Sequence, residues 1–236
     1  MSTNLEALER VAKRLGPLKD ALVFVGGAVT EILVTDPGAP EPRITLDIDA
    51  VVEARTRREY YGFADKLRAA GFSEDRSEGA PLCRWVVDGV KVDLMPPDEE
   101  VLGFSNRWYS AALANASVIC LQQGTKIRVV TAPYFVATKL EAFAGRGRND
   151  FTASHDIEDI IAVVDGRPEL VQEILSAPAD VRRHVSEQIR SYLDTSAFLD
   201  AISGHLPPDD ASQRRAPLVI QRLQALAAAD KTPSIS

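Results

Sequence analysis

The stretch Ile44-Thr-Leu-Asp-Ile-Asp-Ala-Val-Val52 constrains this chain more than any other. It is apolar and rich in β-branched residues, which favours a strand, yet it carries two acids, Asp47 and Asp49. Side chains alternate faces along a strand, so residues two apart share a face. A strand over about 44–53 therefore turns Asp47 and Asp49 one way. It turns Leu46, Ile48 and Ala50 the other way, into a core. Like charges side by side on a strand repel. A cation between them removes that cost, and magnesium, a hard ion that takes oxygen ligands, suits the pair.

A third acid follows in Cys83-Arg-Trp-Val-Val-Asp-Gly-Val-Lys-Val-Asp-Leu-Met95. Asp88-Gly89 between two β-rich runs signals a two-residue hairpin turn. Trp85, Val87, Val90, Val92 and Leu94 supply apolar partners, and Asp93 falls on the second strand. If that strand lies beside the Asp47 strand, three carboxylates share one sheet face. Such a trio suits two metals roughly 3.5–4 Å apart that clamp an in-line phosphoryl displacement. Upstream, Leu22-Val-Phe-Val25 reads as a buried strand ended by Gly26-Gly27, with a helix to about 34 beyond it. A strand–Gly-Gly–helix turn lets backbone N–H groups approach a phosphate.

Gly26-Gly27, then Asp47-x-Asp49, then Asp93 resembles the signature of the DNA polymerase β-type nucleotidyltransferase superfamily. Within it the chain resembles the minimal nucleotidyltransferases of the AbiEii toxin-like group. The likeness runs through Arg43-Ile-Thr-Leu-Asp-Ile-Asp49, Lys91-Val-Asp93, Thr138-Lys-Leu-Glu-Ala142 and Asp156-Ile-Glu-Asp159, over roughly residues 20–165. A turn-rich insertion, Thr35 to Pro42, lengthens the link between Gly27 and Asp47.

The resemblance implies an α+β fold, a small mixed β-sheet nucleotidyltransferase core flanked by helices, with a C-terminal helical bundle. It implies Mg2+ held by Asp47, Asp49 and Asp93, with Asp93 accepting the acceptor's proton. It places the phosphates of a nucleoside triphosphate on Gly26, Gly27 and Lys139, and counts Lys139 with the three acids as catalytic. Thr45, Asp156 and Asp159 join the nucleotide-binding set. Asp156 and Asp159, three apart, share a helix face and would face the metals or order the lysine; which of them does so is open. Their place in a first helical turn is also explained by the helix dipole. The acceptor would be the 3′ end of a tRNA or a protein hydroxyl, and the protein a toxin with a cognate antitoxin.

Two other readings share these residues. One is transfer to a small alcohol such as an aminoglycoside. The other is a nucleotide-binding regulator without turnover, against which three costly clustered carboxylates argue. The formal charge of -7 repels nucleic acid at long range, so an RNA partner needs a local basic patch. Arg55, Arg57 and Arg58 supply one candidate, and they equally suit a solvated helix start. Arg107, Trp108 and Tyr109 could stack a base and hold a phosphate, or pack a loop onto the sheet. Arg146, in the basic loop Gly145 to Asp150, is a further substrate candidate.

Cys83 and Cys120 sit in apolar contexts without metal-ligand spacing and read as reduced core residues. No apolar run approaches the length of a membrane span, and the first residues lack an apolar signal core. The expectation is a cytoplasmic protein without a membrane partner. The remaining periodicity predicts helices over about 3–20, 56–70, 134–143, 155–164, 168–176, 178–203 and 211–229, with a strand at 127–130. The expected division is a core at 1–130, a helical domain at 131–230 that completes the active site, and a tail at 231–236.

Overall fold

The computed structural model describes residues 3–147 and 149–231. It divides into two compact units: residues 1–31 with 43–131, and residues 32–42 with 132–236. Arg148, Ser2 and 232–236 of the expected tail lie outside the described residues.

The first unit opens with α1 (Thr3–Leu15), whose Leu8, Val11 and Leu15 are buried as the helical period requires. The expected helix stops short of 20 because Gly16 and Pro17 turn the chain into a 3-10 segment, Gly16–Ala21. β1 (Leu22–Val25) is buried throughout, and Gly26 leads into a 3-10 turn, Gly27–Val29, and the short α2 (Thr30–Leu33). β2 (Asp47–Val52) carries the two acids. α3 (Arg57–Ala69) starts with a capping box in which Thr56 and Glu59 satisfy each other's backbone N–H groups. β3 (Ser73–Glu74), β4 (Arg84–Val87) and β5 (Val90–Met95) follow. Asp88 and Gly89 both adopt positive φ, 48° and 76°, as the two-residue turn between β4 and β5 demands. Then come α4 (Glu99–Leu102), α5 (Tyr109–Ala114), β6 (Ser117–Cys120) and β7 (Lys126–Val129).

These strands make one seven-stranded mixed sheet in the order β3-β4-β5-β2-β1-β7-β6. β2 runs parallel to β5 and β1 parallel to β7, and the other neighbours are antiparallel. The α+β class with a small mixed sheet and flanking helices is therefore what the sequence led us to expect.

One detail of β2 corrects the expectation. The strand begins at Asp47 rather than near 44, and Leu46 is 89% exposed rather than turned to a core. The reason is a competing partner. The Asn4 side chain donates to the Arg43 carbonyl (2.9 Å) and accepts from the Thr45 N–H (3.0 Å). That ties the approach to β2 to α1 instead of to a ladder. Ile48 and Ala50 are buried as expected.

The second unit is helical: α6 (Ala132–Arg146), α7 (His155–Gly166), α8 (Leu170–Ser176), α9 (Ala179–Leu193), α10 (Ser196–Gly204), α11 (Asp210–Gln213) and α12 (Ala216–Ala228). The single helix expected over 178–203 is broken at Asp194 and Thr195, where α9 ends and α10 begins. Phe143, Phe151, Tyr192 and Phe198 form a ring cluster with centroids 5.0–5.6 Å apart. The insertion at 35–42 belongs to this unit. Its backbone N–H groups at Thr35 and Asp36 donate to the Gly166 carbonyl, and Arg215 bridges Asp36 and the buried Asp165. Truncating Arg215 leaves Asp165 buried without that fork. Arg215→Ala is expected to lower stability by about 3–5 kcal/mol, the cost of breaking a buried pair, read as a drop in the thermal midpoint. No helix among the described residues is long and apolar enough to cross a membrane.

Candidate active site

The ladder register decides where the acids point. Asp49 is the direct partner of Asp93 across the parallel β2–β5 pair, and Asp47 lies two residues before Asp49 on the same strand. Directly paired residues share a face, as do residues two apart. Asp47, Asp49 and Asp93 therefore stand on one face of the sheet. On the other side of β2, Asp49 pairs with Val25 at the end of β1. The Gly26 bend thus follows immediately beside the acidic row.

Gly26 is required there on two counts. Its backbone sits at φ 71°, ψ −169°, a region that is essentially glycine's alone. A Cβ placed on it would lie 2.0 Å from Asp49 Oδ2. Gly26→Ala is expected to cost about 1–3 kcal/mol from backbone strain and to push the Asp49 carboxylate aside. Thermal melting reads the first effect. Gly27 is buried in the 3-10 turn that follows.

Sequence reasoning gave Arg84 no role, and the structure places it at the centre. Its guanidinium donates from Nε to Asp93 Oδ1 (2.7 Å) and from one terminal nitrogen to Asp93 Oδ2 (2.7 Å) and Asp47 Oδ2 (2.8 Å). The fork is mostly shielded, with the Arg84 and Asp93 side chains 17% and 11% exposed. The hydrogen bond to Asp93 is the main reason the guanidinium is held even more firmly protonated than usual. Beside it, burial pushes the Cys83 thiol up to about 12, which leaves it un-ionised near neutrality. The signal for Arg84 was present in the hairpin. With a two-residue turn at Asp88-Gly89, counting outward pairs residue 84 with residue 93.

The other expected contributors of this unit make local contacts. Thr45 donates its hydroxyl to the Asp47 carbonyl (3.1 Å). Trp108 is 7% exposed, with the Arg107 guanidinium 5.1 Å from its ring centre. The Tyr109 hydroxyl meets Met95 Sδ at 3.2 Å. Arg57, of the basic cluster, donates to the Glu100 carbonyl.

In the second unit, Lys139 on α6 is buried and pairs with Asp159 (2.7 Å) and Asp156 (3.1 Å) on α7. Both acids order the lysine. Arg146 adds a two-bond fork to Asp156 (3.0 and 2.9 Å). Burial pushes the Asp156 carboxyl up, but the Arg146 hydrogen bonds and the Lys139 charge outweigh it and hold the group below its ordinary value.

Among the described residues no three His, Cys, Asp or Glu side chains are gathered as a metal-holding group. The Asp47–Asp93 face nevertheless binds a cation already, the Arg84 guanidinium, and its donors are the hard carboxylate oxygens magnesium takes. The donor set suits such an ion by the chemistry of its oxygens and by ladder register, while the three carboxylates are not gathered into a ligand group.

Fold and site together define a mixed-sheet α+β protein with a clustered acidic face beside a glycine bend. Among solved structures it is similar to a candidate nucleotidyltransferase from H. pylori, at 10% identity over 98% of both chains, with a TM-score of 0.48. It is similar also to JHP933 from Helicobacter pylori, at 10% identity over 98% of this chain and 95% of that one, TM-score 0.48. No family model matches the chain, and no curated protein matches it. At that identity and overlap, neither likeness defines a function for this chain.

Proposed function

We propose that the protein is a nucleotidyltransferase, moving a nucleoside monophosphate from a nucleoside triphosphate to an acceptor hydroxyl. The observation that carries this is the Asp49–Asp93 register, which sets three carboxylates on one sheet face next to the Gly26 bend. Neighbouring like charges repel even where Arg84 offsets part of their charge, and phosphoryl transfer gives them a use. The acceptor oxygen bonds to the α-phosphorus as the bond from that phosphorus to the pyrophosphate oxygen breaks. Pyrophosphate leaves, and the hydroxyl proton passes to a carboxylate, for which Asp93 is nominated. Asp47, Asp49 and Asp93 would hold magnesium, which when bound supplies positive charge to neutralise the phosphates. The chain itself contributes positioning: the glycine bend brings backbone N–H groups to the phosphates, and the rigid ladder fixes the carboxylates.

The sequence resemblance supports the finer proposals: the 3′ end of a tRNA or a protein hydroxyl as acceptor, and a toxin role with a cognate antitoxin. A small alcohol remains the alternative acceptor. The role of Lys139 toward a triphosphate rests on the same resemblance. The Arg84 fork favours a second reading, a nucleotide-binding regulator whose third carboxylate is neutralised.

Incubation with each labelled triphosphate and magnesium, with bulk tRNA, a small cationic alcohol or cell lysate, separates these. Label on RNA, on the small alcohol or on protein identifies the acceptor. Binding without pyrophosphate release selects the regulator. Absence of both binding and transfer overturns the nucleotide reading.

A further inference from the structure

We infer that Arg84 is a built-in cation that occupies the acidic face and must be displaced when a divalent metal binds, so that metal entry is a competition with the guanidinium. The inference rests on the reading of that face as a metal site.

Three observations converge. First, the guanidinium makes three charge-assisted bonds of 2.7–2.8 Å to two of the nominated ligands. These are the strong class of hydrogen bond, and they use lone pairs that a metal would need. Second, Arg84 comes from the first residue of β4, near the edge of the sheet. The outer strand β3 pairs with Trp85 and Val86, and just beyond it the Asp75 N–H donates to the Arg84 carbonyl (3.0 Å), which sets Asp75 beside Arg84. Third, Arg84 also lines a cleft of about 350 Å³, together with Tyr61, Arg68, Glu74, Asp75 and Leu82. Asp75, whose carboxylate accepts from the Ser77 N–H (3.0 Å) and hydroxyl (2.6 Å), puts a further carboxylate on the same cleft. The guanidinium is seated between Asp93 and Asp47, with the cleft that Arg84 lines beside it.

Charge explains why that seat suits the guanidinium. The guanidinium offsets the repulsion among neighbouring carboxylates. A divalent ion brings twice the charge and leaves no need for it. The competing idea is that Arg84 orients Asp93 as a ligand and stays in place, and it predicts the opposite effect of removing the side chain.

Manganese titration of the full chain without nucleotide, followed by the electron paramagnetic resonance of the free ion, distinguishes them. Arg84→Gln is expected to bind Mn2+ about tenfold or more tightly than the wild type, the worth of a lost bond to a charged group. Arg84→Lys, which keeps the charge but loses the fork, should fall between. Equal or weaker binding by Arg84→Gln, with the wild type binding, overturns the competition and leaves the metal face standing. No binding by any of the three overturns the metal face itself. Should the variants not fold, the wild type answers alone. Its Arg84 Nε–H signal, followed by nitrogen-15 NMR, should move to the free-arginine position as Mg2+ is added. A signal unmoved at metal saturation overturns the inference.

Discussion

Asp49→Asn is expected to lower nucleotidyl transfer by roughly a thousandfold, equivalent to about 4 kcal/mol of transition-state stabilisation, while leaving the protein folded. The expectation follows from the ladder. Asp49 is the middle of the acidic row, the direct partner of Asp93 and two residues from Asp47. An amide keeps its shape and removes the charge. The Arg84 fork is made with Asp93 and Asp47, so it survives this change. Removing one of several like charges also relieves repulsion. The melting temperature should therefore stay within a few degrees of the wild type, a shift of about 1 kcal/mol or less. The same substitution at Asp93 is a poorer test. It leaves a largely shielded guanidinium with one carboxylate fewer, so lost activity would be mixed with lost stability. Pyrophosphate release and thermal melting on the same Asp49→Asn sample check the claim. Transfer that persists within tenfold of the wild type would remove Asp49 from the machinery.

Much of this site was legible in the chain. The period-2 alternation put Asp47 and Asp49 together, and the Asp88-Gly89 turn fixed the hairpin that carries Asp93. What needed the structure was the sheet order. Nothing local to β2 or β5 says that they are neighbours, because strands distant in sequence pair through tertiary packing. The start of β2 was misread for a related reason. Ile44 and Leu46 look like strand residues, but a side chain 40 positions earlier, Asn4, takes the hydrogen bonds of Arg43 and Thr45. β6 was missed because Ser117–Cys120 is short and mostly exposed, so its burial pattern shows no alternation, and α4 and α5, of 4 and 6 residues, are too short to show a helical period. Arg84 was the instructive omission. Its pairing with Asp93 follows from turn length alone, and a search for acids without their cross-strand partners passed over the cation between them.

Lys139→Ala should be, with Arg215→Ala, among the most destabilising single changes in the second unit, costing about 3–5 kcal/mol, or roughly 6–20 °C in thermal midpoint for a chain of this size. Lys139 is 7% exposed and Asp159 1% exposed, at 2.7 Å from each other. Removing the ammonium leaves buried carboxylate charge without its main counter-ion, which costs more than an intact pair ever contributed. Asp156 keeps its Arg146 fork, so the burden falls on Asp159. The double variant Lys139→Ala with Asp159→Asn is accordingly expected to recover a good part of the loss. Burial raises the Asp156 carboxyl, and the Arg146 bonds and then the Lys139 charge lower it, so the part of the pH dependence that Lys139 carries runs through Asp156. Its carboxyl lies below its ordinary value when folded, so its contribution is present above that ordinary value and fades as pH falls through the folded one. The gap between wild type and Lys139→Ala should therefore be widest near neutrality and narrow on acidification. A lysine whose work is to touch a triphosphate would leave melting unchanged when no nucleotide is present. A lysine that neutralises two buried acids would not, and melting without nucleotide therefore has to precede any reading of the variant's activity.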